Sequence, residues 1–236
     1  MPTTSEHTSK QFDAELEAVR ARVLQMGGLV EEQIKTAVDA LIAGDLKLCD
    51  HVEQNDHLVN GLEVGIDEDV STIIARRQPA AGDLRMLMTV VKTITDLERI
   101  GDEAAKIARM AKLIYSSDRL QQPRMVEVRR MSQVALQMLR KSLDAFARLD
   151  VAASADVVRQ DAQVDEEFRG VLRQLITFMM EDPRTISVSI ELLFIAKAIE
   201  RIGDHAKNIS EYVIYMVKGK DVRHVTLEEI EREVMG

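Results

Sequence analysis

One cysteine, Cys49, stands in a chain of 236 residues. An internal disulfide is therefore excluded, and so is a zinc site built on thiolates. Tryptophan is missing and aromatics reach only 3%, so the apolar 46% falls chiefly to Ala, Leu, Ile, Val and Met, which suit helix–helix packing. Four prolines and eleven glycines leave few chain breakers. An all-β fold needs many turns, so the composition predicts an all-α fold. A basic surplus is lacking too: net charge is −9, and Lys and Arg are scattered among acids. Phosphate backbones and anionic lipid attract the opposite balance, so no direct nucleic-acid partner is expected. No apolar run approaches the ~18 residues that span a bilayer. Met1 to Lys10 is polar and lacks the apolar core of a signal peptide. The expectation is a soluble cytoplasmic protein with no membrane insertion.

Catalytic signatures are also absent. The chain has no His-Glu-x-x-His, no Walker lysine loop, no Gly-x-Gly-x-x-Gly turn and no paired Glu-x-x-His of di-iron bundles. No Ser-His-Asp or Cys-His set is readable from spacing.

What the chain does have is helical periodicity, twice over. After a flexible tail at 1–9, apolar residues recur at three and four from Leu16 to Leu41, a helix ending near Gly44 with Asp45 as the next cap. A second helix runs to Pro79 and a third from about Asp83 to Tyr115. Ser116 to Pro123 reads as a loop, and then the pattern starts again: helices over Met125–Leu149, Asp150–Met180 and Arg184–Val217. Two homologous antiparallel three-helix bundles are predicted, 10–117 and 118–219, followed by a charged tail, 220–236. Thr226-Leu-Glu-Glu in that tail resembles a capping box and allows one more short helix. Gly27-Gly28 falls inside the first helix, at a cost of about 2 kcal/mol relative to alanines. A close helix crossing or a kink would account for it.

The repeat is plainest in one pentapeptide, Glu98-Arg-Ile-Gly-Asp102 and Glu200-Arg-Ile-Gly-Asp204, spaced by 102 residues. Each copy sets two carboxylates one turn apart beside a glycine, nearly opposite the stripe of Leu97, Ile100, Ala104 and Ile107, and so toward solvent. Asp56, Asn60, Glu63 and Asp67 form a stripe on the preceding helix, as do Asp161 and Asp165 in the second half. Asp56 and Asp102 both lie 23 residues from Pro79, and Asn60 and Glu98 both lie 19 from it. Around Pro183 the distances are 22 and 21 for Asp161 and Asp204, and 18 and 17 for Asp165 and Glu200. In antiparallel hairpins these acids share a level. Gathered carboxylates repel unless a cation sits among them. Hard oxygen ligands favour Mg, Mn, Ca or iron over copper. The plain alternative is a solvated acidic face, neutralised by Arg99, Arg201, Lys106 and Lys207. His205 is a weaker candidate, as a metal neighbour or phosphoacceptor.

These residues resemble the PhoU family of phosphate-specific transport system accessory proteins. The likeness runs from about Phe12 to Val225. It rests on Met26-Gly-Gly, Asp56-His-Leu-Val-Asn60, Ala75-Arg-Arg-Gln-Pro79, Asp83-Leu-Arg85, Asp144-Ala-Phe-Ala-Arg148, Met179-Met-Glu-Asp-Pro183 and the two pentapeptides. It implies two three-helix bundles whose surface motifs hold multinuclear metal clusters of divalent or trivalent ions (Mg, Mn, iron or zinc). Those motifs fall on Glu98/Asp102, Glu200/Asp204 and Asp161/Asp165. Asp56 and Asn60 take the fourth place, an amide standing where a carboxylate is expected, with Glu63 and Asp67 nearby. The resemblance also implies a non-enzymatic negative regulator of phosphate uptake and of the phosphate-starvation regulon. Its partners would be a PhoR-type sensor histidine kinase and PstB-type components of the phosphate ABC transporter, and its assembly a homodimer. The competing readings are a carboxylate-bridged metalloenzyme and a metal-storage bundle. Asp144–Asp150, with Phe146 and Arg148 near a helix end, is a candidate partner contact, the plainer reading being that Phe146 merely closes the end of the bundle.

Overall fold

The structure, a computed structural model, describes residues 10–116 and 125–235. The expected tail at 1–9 and loop residues 117–123 lie outside the described residues. Among the described residues seven α-helices follow in order: α1 Lys10–Ala43, α2 Leu46–Arg77, α3 Ala81–Ser116, α4 Val126–Arg148, α5 Val151–Glu181, α6 Ile186–Lys218 and α7 Leu227–Met235. A 3₁₀ turn at Pro183–Thr185 precedes α6, and no strand occurs among the described residues.

The helix ends follow from local chemistry. The Asp45 carboxylate accepts from the Lys47 and Leu48 amides at 2.9 and 3.2 Å, and Asp150 accepts from Ala153 N at 2.9 Å. Each satisfies first-turn donors that would otherwise lack partners. Left-handed residues close the C-termini of α2, α4 and α6 at Gln78, Leu149 and Gly219. The capping box at α7 is reciprocal: Thr226 N donates to Glu229 Oε2, and Glu229 N donates to Thr226 Oγ1.

Each half is a three-helix bundle, and the two lie side by side. The central seam joins α3 and α6, and α1 meets α4 behind it. The predicted α3 stripe of Leu87, Val90, Ile94, Leu97, Ile100, Ala104 and Ile107 is wholly buried, and one continuous apolar core runs through both halves. Each fully buried Leu or Ile there contributes about 1.5–3 kcal/mol. Along the seam Arg85 packs against Gly219, Lys92 lies over the rings of Tyr212 and Tyr215, Asp96 meets His205, and Glu103 meets Arg201. The two helices are thus antiparallel, and this register sets the two pentapeptides side by side.

Gly27 marks a close crossing rather than a kink. A Cβ there would fall 2.7 Å from both terminal methyls of Leu143 on α4, whereas one at Gly28 would meet nothing within 4 Å. Phe146 is fully buried in the core. That bears out the plainer reading, in which the ring closes the end of the bundle, over an aromatic anchor at 144–150. Arg148 does reach solvent, 72% exposed, paired with Asp144 at 3.0 Å. A small satellite core of Ala155, Val158, Ile214, Val222 and Ile230 seats α7 against α5.

Candidate metal centres

In the second half, Asp165 from α5 and Glu200 and Asp204 from α6 each offer a carboxylate oxygen, all within 4.8 Å of one another. Glu200 is buried and the other two are half-buried. Gly203 stands between the α6 acids, and a Cβ on it would lie 3.4 Å from Val164, so α5 approaches closely here. Asp161, one turn before Asp165, is also buried, and Lys207 Nζ holds its carboxylate at 2.7 Å. Lys197 pairs with Glu200 at 2.6 Å while lying over the Phe168 ring. Burial, reinforced by Glu200 and Asp161 and opposed by Lys197, pushes the Asp204 carboxyl up to about 6.

The first half gathers its acids more loosely. Burial raises the Glu98 carboxyl, and Asp102, Glu63 and Asp56 add to it against Arg99. Burial likewise raises Glu63, with Asp67 and Asp102 adding, while the Thr95 hydroxyl and the charge of Arg99 oppose. Asp56, Glu63, Glu98 and Asp102 therefore share one neighbourhood. Among the described residues, however, no three carboxylates here converge as the C-terminal three do. Asn60, Asp67 and Asp102 are exposed, while Asp56, Glu63 and Glu98 are half-buried. Gln33 reaches in from α1. Its Nε2 donates to Asp56 Oδ1 at 2.9 Å, and its buried Oε1 has no partner among the described residues. A Cβ on Gly101 would sit 3.1 Å from that oxygen and 3.5 Å from Asp56 Oδ1, so glycine keeps this space open.

Two expectations need correction. The acids do not all project into open solvent: Asp67 and Asp102 do, but Asp161 and Glu200 are buried and the others half-buried, because α3 and α6 are each packed by three neighbouring helices. The neutralising partners also differ. Arg201 and Lys106 both go to buried Glu103 on the seam, at 2.5 and 3.4 Å, while Lys207 pairs with Asp161 as expected and Arg99 acts on Glu98 and Glu63 through its charge. His205 is buried as well, its Nδ1 2.6 Å from Asp96 Oδ1, an oxygen that also accepts from Asn208. An imidazole so enclosed is a seam element rather than an accessible phosphoacceptor.

Sequence reasoning missed Gln33 and Lys197. Gln33 carried a signal, a lone amide on the apolar face of α1 between Val30 and Ile34. Lys197 sits one turn before Glu200, as an ordinary helix-surface ion pair would. The donor chemistry of both crevices fits a hard cation. Oxygen ligands dominate, the glycines leave room beside them, and like charges gathered in half-buried space are relieved by a positive ion.

A family model described as the PhoU domain matches this chain twice, over residues 23–111 and 128–213. The chain is 49% identical over 231 residues to the phosphate-specific transport system accessory protein PhoU homolog of Pseudomonas putida, covering 98% of this chain and 90% of the relative. It is 46% identical to the Escherichia coli phosphate-specific transport system accessory protein PhoU, covering 98% of this chain and 95% of that protein. The crystal structure of PhoU from Pseudomonas aeruginosa superposes with a TM-score of 0.85 at 48% identity, over 89% of this chain and all of that one. That of the phosphate transport system regulatory protein PhoU from Streptococcus pneumoniae gives 0.82 at 27% identity, over 89% of this chain and 99% of that one.

Proposed function

This chain belongs to the PhoU family, and on that premise we propose that it is an accessory protein of a phosphate-specific transport system and a negative regulator of phosphate uptake and of the phosphate-starvation regulon. The observation that carries this reading is likeness along nearly the whole chain, at 46–49% identity, to proteins named for that accessory role. We take the protein to be a cytoplasmic, non-enzymatic adaptor. Its partners are a PhoR-type sensor kinase and PstB-type transporter components, and its own assembly is a homodimer. Asp56, Asn60, Glu63, Asp67, Glu98 and Asp102 would hold one metal cluster, and Asp161, Asp165, Glu200 and Asp204 the other. A bound ion would neutralise like charges along α2–α3 and α5–α6 and stiffen the faces offered to partners.

Deletion of the gene tests the regulatory reading. Expression from a phosphate-starvation promoter in phosphate-rich medium is expected to rise, and unchanged repression in a strain without a second homologue overturns the reading. The α4–α5 turn tests the contact. Arg148→Ala should weaken capture of kinase or transporter ATPase in a pull-down. It should leave thermal stability nearly unchanged, since an exposed pair is worth about 0.5 kcal/mol. Wild-type capture of both partners would remove Arg148 from the interface.

A further inference from the structure

The two acidic crevices descend from one repeat, yet they differ at two positions that bear on the carboxylates. In register with the helix caps Asp45 and Asp150, Asn60 corresponds to Asp165 and Gln33 to Met138. We propose that these two amides make the N-terminal centre the weaker one, so that metal loads in sequence, the C-terminal centre first and the N-terminal centre only at higher free metal. The proposal rests on the reading that both crevices bind metal.

The C-terminal donors stand ready. Oxygens of Asp165, Glu200 and Asp204 already lie within 4.8 Å of one another, so a cation that displaces the half-exposed Lys197 ammonium from Glu200 can engage all three without moving the helices. The N-terminal donors do not converge in that way. Asn60 contributes a neutral oxygen where the other crevice has a charged one, which lowers attraction for a hard ion. Asp56 is restrained as well. The Gln33 amide that donates to it is only 7% exposed, and its Oε1 is already unpartnered among the described residues. The Nε2–H donated to Oδ1 fixes where the Asp56 carboxylate points, so an ion must meet it in that orientation and not where the donors would best converge. Met138, fully buried at the equivalent place, has no such donor. Asp161 is held instead by Lys207, a half-buried residue whose flexible ammonium can turn to water. Gln33 is thus a positioning residue that acts through Asp56, and Gly101 provides the space it needs.

Titration of the metal-stripped full chain with Mn²⁺, followed by calorimetry and by electron paramagnetic resonance of free Mn²⁺, tests the order. Wild type should show two classes of site separated by about tenfold or more in Kd. Glu200→Gln with Asp204→Asn should remove the tight class and leave the weak one. Asn60→Asp with Gln33→Met should draw the weak class toward the tight one by about ten- to hundredfold. Asn60→Asp alone, on an exposed helix face, should give part of that shift even if Gln33→Met disturbs the fold, which circular dichroism would reveal. One uniform class in wild type, or a weak class unmoved by Asn60→Asp, overturns the loading order while leaving metal binding intact. Absence of binding in wild type overturns both.

Discussion

The first crevice and the second solve the same electrostatic problem by different means. The first spreads five carboxylates, Asp56, Glu63, Asp67, Glu98 and Asp102, and leaves two of them exposed. The second concentrates four and sets Lys197 and Lys207 directly on Glu200 and Asp161. The differences fall on neighbouring positions. Thr95 and Lys197 are equivalent across the repeat, and so are Glu63 and Phe168. In one half the Thr95 hydroxyl, which donates to Val91 O, lies beside Glu63; in the other Lys197 lies over the Phe168 ring and reaches Glu200. Ala105 stands where Lys207 stands, so Asp56 takes its restraint from α1 and Asp161 takes its own from α6. The Glu-x-x-x-Asp pair and the acid facing it from the preceding helix therefore recur in both halves, while the groups that hold them in place are exchanged.

The harshest break of this comparison removes both faces. The variant Glu98→Ala, Asp102→Ala, Glu200→Ala, Asp204→Ala is expected to lose all bound metal by elemental analysis while far-ultraviolet circular dichroism stays helical. Unchanged stoichiometry would show that the ions sit elsewhere. A second break strikes the seam between the halves. His205→Ala strips buried Asp96 of a close partner and should cost about 2–3 kcal/mol. That lowers the melting temperature by about 5–10 °C in a domain of this size; a drop under about 2 °C would make the bridge dispensable.

A milder variant sharpens the electrostatic contrast. The Asp204 carboxyl sits at about 6 in the folded chain, above the ordinary 3.8. Folding thus favours its protonated form. The resulting stabilisation is complete below about pH 4 and is lost as pH rises through 6. Asp204→Asn should raise the melting temperature of metal-free protein at pH 7.5 by about 2–4 °C, of order 1 kcal/mol once solvent screening is allowed for. It should also flatten the decline between pH 5 and 7.5. Glu98→Gln should act with the same sign, because burial and neighbouring acids raise that carboxyl too. A stability that falls with acidification over this range in the wild type but not in Asp204→Asn would reverse the assignment. Smallest of all is the glycine pair. Gly28→Ala, facing open space, should gain about 0.5–1 kcal/mol. Gly27→Ala should forfeit that gain because Leu143 must move aside. Equal melting temperatures for the two variants would mean that the α1–α4 crossing is looser than it stands here.

Six long helices, the Asp45 cap and the duplicated acid pairs were legible because helical period, an Asp ahead of an apolar run and Pro at hairpin ends are local signals. The level of opposed acids was legible as well, since antiparallel helices preserve distance from the turn. Which acids are buried was not, because the angular position of Glu200 on its own helix says nothing about how many neighbours cover that helix. The fate of Phe146 was left open for the same reason. Nor does spacing reveal that Arg201 reaches across to Glu103, or that Gln33 braces Asp56, since both contacts join segments far apart in sequence.

The Asp96–His205 bridge bears on how far the two halves are alike. Under the repeat, Asp96 corresponds to Ala198 and His205 to Glu103. Two identical first halves joined along the same seam would set Asp96 against Glu103, acid facing acid in a buried place. Two identical second halves would set His205 against Ala198 and leave the imidazole without its carboxylate. The bond exists only between unlike halves. Alike in fold, the two halves are therefore not interchangeable across their seam, and the bridge fits neither half against a copy of itself.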